Sequence, residues 1–253
     1  MNSLVHTADP SIVTINSLPS AEKVLVCFHF AGGSAQSFYK WKSHCEDNYE
    51  LIAFEFPGRG RRMRETFAES ITALSEQLAA SCSQLPDKPW IFIGHSLGAL
   101  IAYETVRCLQ RTHKKLPERL IISARNSPTW LPVSSGLPQL GQHSLKEYLG
   151  SLDGTPKEVL NNKPLMDMTL PILKSDLELI YNYEHTPSSQ LPIPIDVFGG
   201  LDDNHVTFEA LLAWKKVTHQ DYHLHMISGG HFSLMDAPQP LFQWLHKLTE
   251  QGT

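Results

Sequence analysis

The stretch "WIFIGHSLGALIAYE", Trp90 to Glu104, constrains this chain more than any other. A short β-rich apolar run, Trp90 to Ile93, meets Gly94-His95-Ser96-Leu97-Gly98, and a helix-forming segment continues to about Arg111. Gly-x-Ser-x-Gly between a strand and a helix predicts a sharp elbow that lifts the serine above the end of a sheet. Such a bend strains the serine backbone and brings neighbouring chain close, which side chains at Gly94 and Gly98 would obstruct. Ser96 would then stand at a helix N-terminus, where backbone N–H groups and the helix dipole favour the negative charge of a tetrahedral intermediate. The plain alternative is a small residue in a tight turn. The five-residue pattern alone is common, and the strand and helix around it favour the nucleophile.

The remaining chain supplies the architecture that an elbow needs. "KVLVCFHF" (Lys23 to Phe30), "YELIAFEF" (Tyr49 to Phe56), "RLIISAR" (Arg119 to Arg125), "IPIDVFGG" (Ile193 to Gly200) and "YHLHMISGG" (Tyr222 to Gly230) read as strands. Helices are predicted over Ser70 to Leu85, where Ile71, Leu74, Leu78 and Cys82 recur at helical spacing, over Leu97 to Arg111, and near Leu241 to Leu248. This alternation predicts an α/β fold, a mostly parallel sheet covered on both faces, with its site beyond the carboxyl ends of the strands.

From about Gln142 to Glu184 no strand pattern occurs. Thr155-Pro156-Lys157-Glu158 has the form of a capping box with proline at the first helical position, and Pro171 is expected to end or kink the helix that follows. The segment reads as a helical lid inserted into a single domain spanning residues 1–253. Leu145, Leu149, Leu165, Met166, Met168 and Leu173 are its candidate apolar contacts for a substrate, although such residues as often pack helix to helix.

A serine hydroxyl needs a base, and the base an orienting acid; on this kind of fold they follow in the order Ser, Asp or Glu, His. Asp202 and Asp203 follow "IDVFGG", and His231 follows "MISGG". A loop of form G-x-x-D-x-x-V fits Gly200, Asp203 and Val206, which favours Asp203 as the acid and leaves Asp202 to brace the loop. The oxyanion hole would take the backbone N–H of Leu97 and one from Phe30-Ala31-Gly32-Gly33, with Ala31 the donor. "PGRGRRMRE", Pro57 to Glu65, is the one concentrated basic patch. It reads equally as a solvated loop with local ion pairs or as arginines facing an anionic handle such as a phosphate.

Composition narrows the partners. With 42% hydrophobic and 19% charged residues the balance is globular, and a net charge of -5 argues against broad nucleic-acid or anionic-membrane binding. Cys27, Cys45, Cys82 and Cys108 are widely spaced without a C-x-x-C pair, so reduced thiols in a cytoplasmic protein fit best, and the N-terminus lacks the pattern of a signal peptide.

Taken together, "FHFAGGSAQSF", "FEFPGRGRRMRE", "FIGHSLGALIAYE", "GTPKEVL", "LPILKSDLELIYNY", "VFGGLDD" and "ISGGHFSL" resemble, in order and nearly end to end, the type II thioesterases. These are the stand-alone editing hydrolases of non-ribosomal peptide and polyketide synthesis, on the α/β-hydrolase fold. The resemblance implies Ser96 as nucleophile, His231 as base, one of Asp202 and Asp203 as acid, and Ala31 and Leu97 as oxyanion donors. It also implies acyl or peptidyl carrier domains as partners, with phosphopantetheine arriving as part of the substrate and no resident metal or cofactor. A monomer is expected. One position departs from the family: its aspartate is often followed by proline, where this chain has Asn204. A fatty-acyl thioesterase or small-molecule esterase would use the same machinery, and a catalytically silent hydrolase-fold binding protein is the reading from another class.

Overall fold

The computed structural model describes residues 9–45, 48–130 and 162–251. Seven strands, β1 (Ile12–Asn16), β2 (Lys23–Phe28), β3 (Tyr49–Phe54), β4 (Trp90–His95), β5 (Arg119–Ser123), β6 (Ile195–Gly200) and β7 (Tyr222–Ile227), form one sheet in the order β1-β3-β2-β4-β5-β6-β7. β1 runs antiparallel to β3, and every other neighbouring pair is parallel. The edge strand β1, "IVTIN", was not expected from the sequence; it is five residues long and its β-branched side chains only partly alternate in burial.

Strand order reverses beside β2: the chain passes from β2 to β3 on one side and to β4 on the other. Phe28 at the end of β2 pairs in register with Gly94 near the end of β4. The loops leaving those two strands therefore diverge from one point, where α/β sheets place their ligands.

Alternation along the strands builds two cores. Val24, Val26 and Phe28 face one layer with Phe92, Ile122 and Val197, against helices α1 (Ile71–Ser81) and α2 (Leu97–Arg111). Leu25 and Cys27 face the other with Ile93, Ile121 and Phe198, against a 3-10 helix over Ala35–His44 and the C-terminal helices. Ser70 caps α1 by accepting the Ala73 N–H. All four cysteines are free and buried.

Helix α3 (Lys163–Tyr181) is the described part of the predicted lid; Thr155 to Glu158, Leu145 and Leu149 lie outside the described residues. α3 does not end at Pro171 but continues through it. Pro171 and Asp167, whose carbonyl loses its donor, both lie on the exposed side, where water can replace the missing hydrogen bond. Met166, Leu170, Leu173 and Leu177 form the buried stripe opposite. The short helices α4 (Phe208–Leu212) and α5 (Ser233–Asp236) and the long α6 (Gln239–Gln251) complete the layers. Among the described residues no helix is long and apolar enough to cross a membrane.

Candidate active site

Between β4 and α2, Ser96 adopts φ 53° and ψ -113°, a region that a side-chain-bearing residue occupies only at a cost of about 1–3 kcal/mol. Packing enforces it. The Ser96 N–H donates to Ser123 O at 2.8 Å, tying the elbow to the adjacent strand. A Cβ on Gly94 would fall 2.3 Å from Gly98 O, and one on Gly98 would fall 2.1 Å from Phe28 O, so only glycine fits either place. Leu97 opens α2, and its N–H has no intrahelical acceptor.

The loop after β2 stands against this elbow. Phe30 O accepts the Gly33 N–H at 2.9 Å and lies 3.0 Å from His29 Nδ1. His29 Nε2 accepts the Phe56 N–H at 3.4 Å, which makes Nδ1 the protonated nitrogen of a neutral ring. Burial, aided by the nearby Arg59 charge, holds its pKa well below the usual histidine value, in agreement with that tautomer. Ala31 packs against the Met166, Leu170, Leu173 and Leu177 stripe of α3.

Beyond β6 and β7 the predicted base and one predicted acid meet. His231 Nδ1 lies 2.8 Å from Asp203 Oδ2, and Asp203 Oδ1 accepts the His205 N–H at 2.8 Å. Asp202 is exposed, and its N–H donates to Gly229 O at 3.0 Å, so it braces the two loops through its backbone. Burial alone would raise the Asp203 carboxyl; the hydrogen bond and charge of His231 and the His205 N–H outweigh it and hold the pKa below the ordinary value. With Nδ1 engaged by the carboxylate, Nε2 is the nitrogen left for substrate chemistry.

The His231 ring is flanked by His95 at 5.4 Å, Phe232 at 5.5 Å and His205 at 5.7 Å between centroids. His95 Nδ1 lies 3.0 Å from Ser123 Oγ, and burial, with His231 second, lowers its pKa well below the usual value. A neutral ring thus sits beside the base. The described hydrogen bonds do not include one from Ser96 Oγ to His231; in free enzymes such contacts are often long and tighten with substrate.

Arg59 and Arg62 are 4% and 2% exposed; the local ion pair expected of this patch is found at Arg62, but neither reading describes Arg59. Arg59 forms a two-pronged ion pair with Asp176 at 2.6 and 2.7 Å, and Arg62 one with Glu65 at 2.6 and 2.9 Å. The Arg59 charge is neutralised inside the protein, and that of Arg62 by an exposed neighbour, Glu65. Of the lid candidates, Met166 and Leu173 are buried in the helix packing, whereas Leu165 and Met168 are exposed. Sequence reasoning did not single out Asp176, His95 or His205. Asp176 and His95 lie within two of the stretches that carry the family resemblance, "LPILKSDLELIYNY" and "FIGHSLGALIAYE", without a role assigned to either.

The thioesterase domain model matches residues 23–249. The gramicidin S biosynthesis protein GrsT of Aneurinibacillus migulanus is 30% identical over 235 residues, covering 93% of this chain and 92% of that one. The thioesterase PikA5 of Streptomyces venezuelae is 33% identical over 224 residues, covering 86% and 78%. The solved type II thioesterase BorB from the borrelidin biosynthetic cluster superposes with a TM-score of 0.86 at 29% identity, covering 95% of this chain and 98% of that one. A match over this span is membership: the chain belongs to the thioesterase domain family and is a thioester hydrolase on the α/β-hydrolase fold.

Proposed function

We propose that this chain is a stand-alone type II thioesterase that removes acyl groups from the phosphopantetheine arm of carrier domains in non-ribosomal peptide or polyketide synthesis. The single observation that carries the chemistry is the Asp203–His231 hydrogen bond, its imidazole 5.4 Å from the ring of His95, the residue preceding the strained Ser96. In this mechanism His231 Nε2 takes the Ser96 hydroxyl proton as Oγ attacks the thioester carbonyl. The resulting oxyanion is held by the Ala31 and Leu97 N–H groups. The C–S bond breaks, and the proton passes from His231 to the departing thiolate. Water, deprotonated by His231, then attacks the acyl-serine; its Oγ–C bond breaks, His231 returns the proton to Oγ, and the acid is released with Ser96 restored.

The substrate assignment draws its support from the relatives named above, one a gramicidin S biosynthesis protein and one a type II thioesterase from the borrelidin cluster. The same proposal includes carrier domains as partners, a cytoplasmic monomer and no resident cofactor. The residues past Tyr181 return onto α2, where Arg107 donates to Thr186 O and Gln110 to Gln190 O; α3 is thereby anchored at its C-terminal end as a lid would be.

The test is acyl release from acyl-phosphopantetheinyl carriers, read by intact-protein mass spectrometry, beside the matching acyl-CoA, a simple ester and Ser96→Ala. Fast release from carriers that vanishes in Ser96→Ala is expected. Equal or better cleavage of the ester, with indifference to the carrier, would overturn the editing role and leave a general esterase.

A further inference from the structure

Ala31 has no means of its own to aim its N–H. That N–H belongs to the Phe30–Ala31 peptide, which is trans, so it points opposite to the Phe30 carbonyl. The Phe30 oxygen is held by the Gly33 N–H and by His29 Nδ1, and the direction of the Ala31 N–H therefore depends on where Gly33 stands as well as on His29.

Gly32 and Gly33 are fixed from a distance. The Gly32 N–H donates to Asp176 Oδ2 at 2.8 Å, across 144 residues of sequence. Arg59 Nη1 donates to Asp176 Oδ2 at 2.6 Å and to Gly33 O at 3.3 Å, and Arg59 Nη2 donates to Asp176 Oδ1 at 2.7 Å. The Asp176 side chain is 1% exposed and that of Arg59 4%. One buried ion pair thus joins three segments: the loop after β2, the Pro57-Gly58-Arg59 loop after β3, and helix α3. One turn earlier on α3, Leu173 lies under Gly32, where an added Cβ would come within 3.5 Å of its Cδ1.

We propose that Asp176 and Arg59 are positioning residues for the oxyanion hole, clamping Gly32 and Gly33 so that the Ala31 N–H is aimed only while α3 is seated. The inference rests on the reading of Ala31 as an oxyanion donor. Neither side chain touches substrate; both act through the backbone they hold. Seating of the lid helix and competence of the hole become one event, because the same carboxylate belongs to both.

Removing one partner alone would strand a buried charge and threaten the fold, so the test replaces both. Arg59→Met with Asp176→Leu keeps an apolar pair of similar shape but gives Gly32 no acceptor. Arg59→Met with Asp176→Asn is equally uncharged but restores an amide oxygen for the Gly32 N–H. The full chain is used, with cooperative melting checked first, Ser96 titrated by acylation burst, and Ser96→Ala as control. Readouts are kcat per titrated serine, KM for an acyl carrier, and affinity for a trifluoromethyl ketone thioether, which mimics the tetrahedral intermediate.

The leucine variant is expected to lose about 10- to 100-fold in kcat with KM little changed, less than the loss of a whole oxyanion donor. Ketone affinity should fall in parallel, and the asparagine variant should recover part of both, the Arg59 contact to Gly33 O being absent from either variant. Unchanged kcat and ketone affinity in the folded leucine variant would overturn the proposal. So would equal impairment of the two double variants, which would mark the pair as structural support. Acyl release persisting in Ser96→Ala would instead sink the catalytic reading, and the clamp with it, without involving either clamp residue.

Discussion

A Cβ on Gly200 would stand 2.4 Å from the carbonyl oxygen of Gly230, so the loop carrying Asp203 and the turn preceding His231 meet backbone to backbone. The Leu201 N–H, donating to Ile227 O at 2.8 Å, and the Asp202 N–H, donating to Gly229 O, continue the seam. Gly200→Ala must part these loops and with them the acid and the base. A misplacement of about 1 Å costs on the order of a hundredfold, so kcat should fall by about that factor while KM changes little. The downfield imidazole N–H proton resonance of His231 should weaken or vanish in the same variant. Wild-type kcat in folded Gly200→Ala would show that the seam does not set the geometry.

The two adjacent aspartates should separate cleanly. Asp203→Asn replaces an acceptor facing His231 Nδ1 with an amide, and in Ser-His-Asp enzymes that change costs about ten-thousand-fold in kcat. Asp202→Asn should leave kcat near wild type, because its side chain is exposed and its contribution is a backbone N–H. The Asp203 pKa is held below its ordinary value of 3.8, so its ionisation stabilises the fold above that value. The stability difference between wild type and Asp203→Asn should therefore be present near neutrality and close as pH falls below about 4. Urea unfolding across that range, with kinetics at neutral pH, checks both; a crippled Asp202→Asn would reverse the assignment.

The sequence made the elbow and the strand-end loops legible because both depend on local chemistry. Gly94 and Gly98 are forced by contacts around one bend, and Asp203 and His231 follow short segments that end in glycine pairs and read as strands. What stayed hidden depends on pairing at a distance. The partner of Arg59 is 117 residues away, so its loop looked like a basic surface rather than half of a buried ion pair. β1 is stabilised by lying against β3, and α3 passes Pro171 because tertiary packing of its apolar stripe outweighs one missing hydrogen bond. Each is a case of tertiary context overriding a local signal.

Two glycines near the site should respond differently to alanine. Gly98→Ala drives a Cβ to within 2.1 Å of Phe28 O and 2.5 Å of His29 O, at the end of the interior strand β2, where neither side can yield. Destabilisation of about 3 kcal/mol or more is expected, at or beyond the upper end for overpacking. Gly32→Ala meets its nearest neighbour at 3.5 Å, but its φ of 77° is left-handed. It should fold and lose only about 1–2 kcal/mol. Thermal unfolding of both variants decides it, and a well-folded Gly98→Ala would show that the elbow is not packed as described.

Two buried histidines set the direction in which acid acts on the fold. His29 and His95 are held well below the usual 6.5, both chiefly by burial, whereas the unfolded chain protonates them normally. Between the folded values and 6.5 only the unfolded state binds these protons, so stability is lost as pH falls below 6.5 and is flat with respect to these groups above it. Each contributes at most about 1.4 kcal/mol per pH unit. Urea midpoints measured from about pH 7.5 to about pH 5.5, where histidines titrate, should fall on acidification. His95→Gln should reduce that slope by one histidine's share while leaving the His29 share in place. A midpoint that rises on acidification, or a slope indifferent to His95→Gln, would mean that these rings are not neutral in the folded protein.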